Sequence, residues 1–548
     1  MRVYLTALVA VGCSASVDES PAVIGLRIDP PAIALAIDLD APAPAQPIHV
    51  LARGGDGAEI DVTLDSDLAL AIAGAPVGTA EAGMLLSDGM TGGSATLTAS
   101  YGGQTAVAQV TANVFGRRVV TGTAVAGAAF DAASPTTVDA AVSPADGAVL
   151  PPNLGAFVVD FGAADSDDAH ELHVTAPYLD VAVDAPGIAG PREVALDANE
   201  WQAIASTARG GSIAVEVLSM DSHAPQTARV ARASYDVADL DVGALLVGMM
   251  PTGGLPAFVR YEPRTATTMP FLTGPNGTCV GCHIAISPDG SRIAAGVAST
   301  RTGGGPAGIL FDGSGAILAT SDAAASPWVE AAFDPSGAMI GVLQGVLTLR
   351  DGTTASVTQT LATGELATSA TIAPDGSALA YTELDVAGAT LGNPIGDALH
   401  VRSWNAATGA LGPVREIVRD GKGVVMPVYS PDGQWIVYGH SASSASEEPN
   451  GGAAVKADGS AIIQLTSDPK DELARWASPI TAARAGGRPA ERMVWIAFNS
   501  ARPIGTLPAG TQQLWLEALF PDRGVVAAAF HLPGQGTATV LHGPIALP

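Results

Sequence analysis

Hydrophobic and polar positions alternate along most of this chain. Runs rich in Val, Ile, Leu, Ala and Thr recur between turns rich in Gly, Pro and Asp, and a period of two is the pattern of strands with one buried face. Such runs occupy Ile24–Ile28, Ile33–Leu39, Ile48–Ala52, Ile60–Leu64, Ser94–Ser100 and Thr105–Ala112. Tyr101-Gly102-Gly103-Gln104 reads as the tight turn joining the last two. Further alternating strands are expected at Phe157–Phe161 and Ile213–Leu218. Helical spacing of apolar residues does not persist beyond about 10 residues anywhere. The expectation is an all-β chain, and its 548 residues leave room for about three domains.

The C-terminal half adds a repeat. Ser287-Pro288-Asp289-Gly290, Asp334-Pro335-Ser336-Gly337, Ala373-Pro374-Asp375-Gly376 and Ser430-Pro431-Asp432-Gly433 each precede a short apolar strand. Those strands are Ile293–Gly296, Met339–Leu343, Leu379–Tyr381 and Trp435–Tyr438, and Ser478-Pro479 before Val494–Phe498 is a degenerate fifth copy with an insertion. The prolines at 288, 335, 374, 431 and 479 are spaced by 47, 39, 57 and 48 residues, the interval of a propeller that spends ~40–50 residues on each four-stranded blade. The turn chemistry is coherent: Pro fixes φ, Asp caps the turn and Gly supplies positive φ.

These copies resemble the TolB-like, WD40-like (PD40) propeller repeat, and Ala457–Thr466 resembles its outer-strand segment. The resemblance implies a propeller over 241–548, and about 300 residues at ~50 per blade suggest six blades, the sixth closed by strands near Ala257–Tyr261 and Val525–Phe530. Residues 22–115 resemble bacterial group 2 Ig-like domains through Leu26-Arg27-Ile28-Asp29-Pro30 and Ala95–Gly103. Residues 116–240, opening on the turn-rich Ser143–Asn153, resemble a fibronectin III-like or related Ig-like module. The expected fold class is therefore all-β: two Ig-like/fibronectin-like sandwiches followed by a six-bladed TolB-like β-propeller.

Charge narrows the partners. Lys+Arg 26 against Asp+Glu 54 gives a net charge of −28. Such a surface repels phosphate backbones, which excludes nucleic acid, and it disfavours electrostatic adhesion to anionic lipid.

The chain has 3 cysteines. Residues 1–12, with one early Arg and then an apolar run, read as an export signal too short to span a bilayer. Ala10-Val11-Gly12-Cys13 resembles a bacterial lipobox, although Leu is more usual where Ala10 stands. The resemblance implies cleavage before Cys13, a lipid on its thiol, a tether over 13–21 and membrane attachment through the N-terminal lipid. Ser14 is not the Asp that retains some lipoproteins in the inner membrane, so the expected place is the outer membrane of the cell envelope.

Cys279-Val280-Gly281-Cys282-His283 is the Cys-x-x-Cys-His attachment motif of c-type haem. Its two thiols form thioethers to the haem vinyl groups, and His283 is the proximal iron ligand. Cys279, Cys282 and His283 are thus the candidate cofactor-binding residues for one covalent haem c. The alternative is a structural Cys279–Cys282 disulfide. The helical cytochrome domain that usually follows such a motif is missing, so the propeller mouth must supply the apolar pocket. His283 stands four residues before Ser287, and the matching positions are Glu330, Ser369, Met426 and Ala474. Of these Met426 is the candidate distal ligand, on the facing blade, with a core methionine as its bland reading; Met249, Met250, Met269, His440 and His531 are alternatives.

Other motifs carry less. His170-Glu171-Leu172-His173 brings its second His one residue too early for a zincin, and Asp165–Asp168 lacks the spacing of an EF-hand loop. No Gly-x-Ser-x-Gly elbow, P-loop, dinucleotide fingerprint or distinguished carboxylate pair is present, so no catalytic residue is assigned. Two function classes follow: an envelope lipoprotein carrying haem for electron transfer or haem-dependent sensing, with an unidentified envelope or redox partner, or a haem-free scaffold binding protein or glycan.

Overall fold

The computed structural model describes residues 22–547, apart from 126, 139–140, 188–191, 252–256, 273–278, 299–306, 322–327, 329, 344, 385–394, 444–445, 467, 504–510 and 536–538. Within strands, 249–251, 257, 279–283, 297–298, 307, 443, 446–449 and 539–544 are described by backbone alone. The fold is all-β, 59% strand against 3% helix. It forms two compact units, residues 1–115 and 116–548.

In the first unit, Gly93–Tyr101 pairs antiparallel with Gln104–Val119, while Ala32–Asp38 runs parallel to the latter on its other side. Gly102 and Gly103 take positive φ (53° and 78°), as the two-residue turn between these strands requires. Val23–Asp29, His49–Gly54 and Glu59–Asp61 make a separate sheet. The sequence alternation becomes burial: Ile33, Leu35, Ile37, Leu97, Val110 and Val50 are buried while their neighbours face out.

The second unit begins with a sheet containing Thr227–Val237, Ser212–Met220, Ala169–Ala176 and Leu179–Pro186 in antiparallel order. A helix, Ala198–Thr207, accompanies it. At 10 residues it sits at the length limit of the helical spacing noted above. Its signal was the pair Asp197 and Glu200: the Asp197 carboxylate accepts from the Asn199 and Glu200 N–H groups, and Glu200 accepts from the Asp197 N–H, a reciprocal cap. The helix turns Trp201 inward, fully buried, to stack on Phe157 at 4.7 Å.

His170 and His173 have separate partners, Ser219 at 2.9 Å and Asp180 at 2.8 Å. Asp167 and Asp168 are engaged by Arg229 and Ser222, so this stretch is an internally bonded turn. Nearby, the Arg117 guanidinium bridges Glu171 and Asp184, which face each other across paired strands. Burial pushes the Glu171 carboxyl up to about 7, Arg117 opposing the shift and Asp184 adding to it.

The remainder is a series of six sheets. The innermost strands of the first five are β1 (Cys279–Ile286), β2 (Glu330–Phe333), β3 (Leu366–Ile372), β4 (Gly423–Tyr429) and β5 (Asp471–Trp476); in the fourth sheet the short Ile395–Gly396 also pairs with β4. The closing sheet is built from Leu245–Pro251, Ala257–Glu262, Thr267–Leu272 and, at its inner edge, β6 (Thr539–Ala546). β1 touches β2, β2 touches β3, and so on through β6, which touches β1. The closing pair is therefore Leu245–Pro251 with β6. The strands expected to close it, near Val525–Phe530, instead edge the fifth sheet on Gln513–Phe520. His542-Gly543-Pro544 interrupts the apolar run of β6 in sequence, yet Pro544 is tolerated because an edge strand need not donate on both sides.

Consecutive sheets pack face to face. Ile340, Leu347 and Leu349 of the second sheet meet Ile372, Tyr381 and Trp404 of the third. Trp435 and Val437 of the fourth meet Trp476, Ile496 and Phe498 of the fifth. Burial on both faces explains why these strands read as continuous apolar runs rather than alternating ones.

The Pro-Asp-Gly turns hold the strand ends. Ser287 Oγ accepts from the Arg292 N–H at 2.9 Å and donates to Asp289 at 2.6 Å, and Ser430 repeats this with Trp435 and Asp432. Gly290, Gly337, Gly376 and Gly433 all have positive φ. The degenerate copy keeps the essential bond, for Ser478 Oγ accepts from the Trp495 N–H at 3.0 Å across the insertion. Residues 116–240 dock on this assembly through Arg484–Asp239 and Arg488–Asp236 ion pairs and a Trp495 Nε1–H bond to the Leu240 carbonyl.

Two outcomes are expected. Ser478→Ala should destabilise the second unit by about 1 kcal/mol, the net worth of one buried hydrogen bond, read as a lower urea midpoint; an unchanged midpoint counts against the repeat assignment at 478. Glu171 holds its proton more tightly in the folded chain than in the unfolded one, where the ordinary value is 4.5. Its contribution is thus full below that value and fades as pH rises through about 7. Glu171→Gln should flatten this decline, measured as urea midpoints across that window.

Candidate functional site: the central cavity

The inner strands enclose a cavity of about 420 Å³ lined by residues from all six. Its wall is mainly apolar, with Ile284, Ile286, Ala332, Ile372, Val428 and Ile545, and its polar members include Glu330, Thr371, Met426, Tyr429 and Arg475. An apolar hollow with a few convergent polar groups is the usual form of a ligand site.

Irregular backbone shapes this wall. Between Val280 and Ile284, β1 spends four steps where its partner spends two, from Val297 to Ala295. Single extra residues bulge β3 between Ala367 and Ser369, β4 between Val425 and Val428, and β5 between Glu472 and Arg475. β6 bulges against Leu246 and Gly248. Bulges re-aim side chains, and they recur beside functional sites. Two are strained: Met426 and Leu473 hold positive φ, 46° and 56°, which costs a non-glycine residue about 1–3 kcal/mol each. Cross-strand bonds fix this region: the Trp476 Nε1–H donates to the Val428 carbonyl at 2.9 Å, and Thr371 Oγ1 accepts from the Tyr429 N–H at 3.3 Å.

Met426 and Arg475 form the polar corner of the cavity. Arg475 Nη2 donates to Met426 Sδ at 3.1 Å, and Nη1 donates to the Ala474 carbonyl at 2.9 Å. Both side chains are buried, Arg475 to 7% exposure. Burial lowers the Arg475 pKa to about 10, and the charge of Glu330 opposes that shift. β2 and β5 stand three places apart in the ring of six, as do β1 and β4. Glu330 and Arg475 therefore come from opposite walls, and Met426 comes from the wall opposite β1.

The sequence-predicted residues distribute as follows. The backbones of Cys279, Cys282 and His283 belong to β1, with Gly281–His283 in its bulge; their side chains lie outside the described atoms. Cys13 lies outside the described residues. Met426 lines the cavity, held by Arg475. Of the alternatives, the Met249 and Met250 side chains lie outside the described atoms, Met269 is exposed on the outermost strand Thr267–Leu272, His440 is buried beside Tyr438, and His531 lies beside Gln513 and Trp515. Arg475 was not singled out by sequence. The available signal was a cation one residue past the Ala474 position, set between Ala474 and Trp476.

The fold and its ringed cavity place the chain among all-β, propeller-like proteins. No protein-family model matches it, and no curated protein matches it either. Solved structures similar to it include hydrazine synthase from Kuenenia stuttgartiensis, at 12% identity and TM-score 0.31 over 48% of this chain and 68% of that one. A protein assigned as TolB from Agrobacterium tumefaciens aligns at 13% identity and TM-score 0.25 over 55% and 97%. One assigned as a 6-phosphogluconolactonase from Bacteroides uniformis aligns at 14% and 0.31 over 55% and 100%. Likeness at this level carries no argument about what the chain does.

Proposed function

We propose that this chain is a cell-envelope lipoprotein whose propeller covalently carries one c-type haem, for electron transfer or haem-dependent sensing. In this reading the six sheets are the blades of a six-bladed TolB-like propeller over 241–548, preceded by Ig-like or fibronectin-like sandwiches over 22–115 and 116–240. Cys13 carries the lipid that holds the protein at the outer membrane.

The observation that carries the haem reading is where its motif falls. Cys279-Val280-Gly281-Cys282-His283 opens β1, and the three residues that follow it, Ile284, Ala285 and Ile286, line the apolar cavity. In an unbroken strand, positions three apart face opposite sides; the backbone bulge over Gly281–His283 breaks that strict alternation. The donor set fits haem: two thiols for the vinyl groups, an imidazole for the iron, and a thioether on the facing wall at Met426. When bound, the group supplies one-electron chemistry, and methionine ligation raises its potential relative to a second histidine. Met426 would hold the group from the facing wall, and its sulfur would then give up the hydrogen bond from Arg475.

A pyridine haemochrome spectrum of protein made with cytochrome c maturation machinery should show a c-type haem. Cys279→Ala combined with Cys282→Ala should abolish the haem stain on a denaturing gel, and Met426→Leu should remove the far-red sulfur-to-iron band while leaving the haem attached. Wild-type protein that matures without haem overturns the assignment and leaves Cys279–Cys282 as a disulfide in a protein- or glycan-binding scaffold. For the anchor, Cys13→Ser should move the protein from the membrane to the soluble fraction; a variant still processed and membrane-bound counts against lipidation.

A further inference from the structure

Arg475 is the one basic side chain among the described residues lining the cavity. A guanidinium offers five N–H donors. Here one acceptor is a backbone carbonyl and the other is the Met426 thioether, a weak acceptor. Yet the side chain is more than nine-tenths buried, where a cation ordinarily meets a carboxylate in a two-pronged fork. Glu330 favours the cation from the opposite wall. The same negative charge repels a dianion, so a monoanion suits the site better than a phosphate. The remaining wall, with Ile284, Ile286, Ala332, Ile372, Val428 and Ile545, suits an apolar body.

We infer that the central cavity binds a carboxylate carried on an apolar body, with Arg475 as its fork. The carboxylate then replaces the thioether as partner of the guanidinium, while the apolar wall encloses the rest of the ligand. Two sources share this chemistry: a free organic acid, and the propionate of a haem attached to β1. The inference itself does not rest on haem.

The test uses the full chain made without haem-maturation machinery, with benzoate and its neutral isostere benzamide titrated by isothermal calorimetry. Benzoate should bind at least about tenfold more tightly than benzamide, the effect of one charge-assisted contact. Arg475→Gln should erase that preference and Arg475→Lys should keep part of it. Equal binding of the two ligands by the wild type overturns the inference, and this comparison stands even if a variant fails to fold. Equal benzoate affinity in a folded Arg475→Gln protein overturns it too. Haem-loaded protein that has lost benzoate binding identifies the propionate as the source; unchanged binding identifies a free acid. A chain that never acquires haem refutes the proposed function and leaves the benzoate result intact.

Discussion

Backbone pairing between Leu245–Pro251 and Thr539–Ala546 is the constraint on which the ring depends. The other sheets are formed almost entirely from contiguous stretches, but the closing sheet joins strands separated by roughly 290 residues. Bringing such distant segments together costs about 5 kcal/mol of loop-closure entropy by the logarithmic rule. The ladder of hydrogen bonds and the packing of Leu246 and Phe258 against Ile293 and Phe311 offset that cost. Without the pairing, the closing sheet would expose a bare edge, β5 and β1 would lose a neighbour, and the cavity would lose a wall.

The cavity owes its character to broken regularity. Each bulge moves the chain out of the strict alternation that would give one polar face and one apolar face. The inner wall can therefore carry an apolar surface and still present Met426 and Arg475. The strain at Met426 and Leu473 is held by neighbours that over-determine it: Trp476 bonds across to β4, and β4 bonds across to β3.

The sequence was most legible where dihedral angles are set locally. Pro, Asp and Gly dictate a turn without reference to distant residues, so the turns at Ser287–Gly290 and Ser430–Gly433 could be placed from the chain alone. Even the copy at Ser478 was visible, because its hydroxyl does the same work across an insertion. The partner of Leu245–Pro251 was not legible, because strand pairing is non-local and His542-Gly543-Pro544 disguises the strand that supplies it. Arg475 escaped for a different reason. A fixed offset from the turn assumes a uniform register, and the bulge between Glu472 and Arg475 breaks that uniformity by one residue.

The ring also imposes an order in time. β1 is synthesised some 250 residues before β6, yet both are neighbours in the finished wall. Until residue 546 has emerged and paired, the ring stays open and β1 remains approachable from the side that later becomes the enclosed interior. In that interval the backbone segment 279–283 can be reached through the open side of the ring, and after closure only through the mouth of the cavity. The strand that completes the architecture thereby also sets the moment at which the interior becomes a cavity.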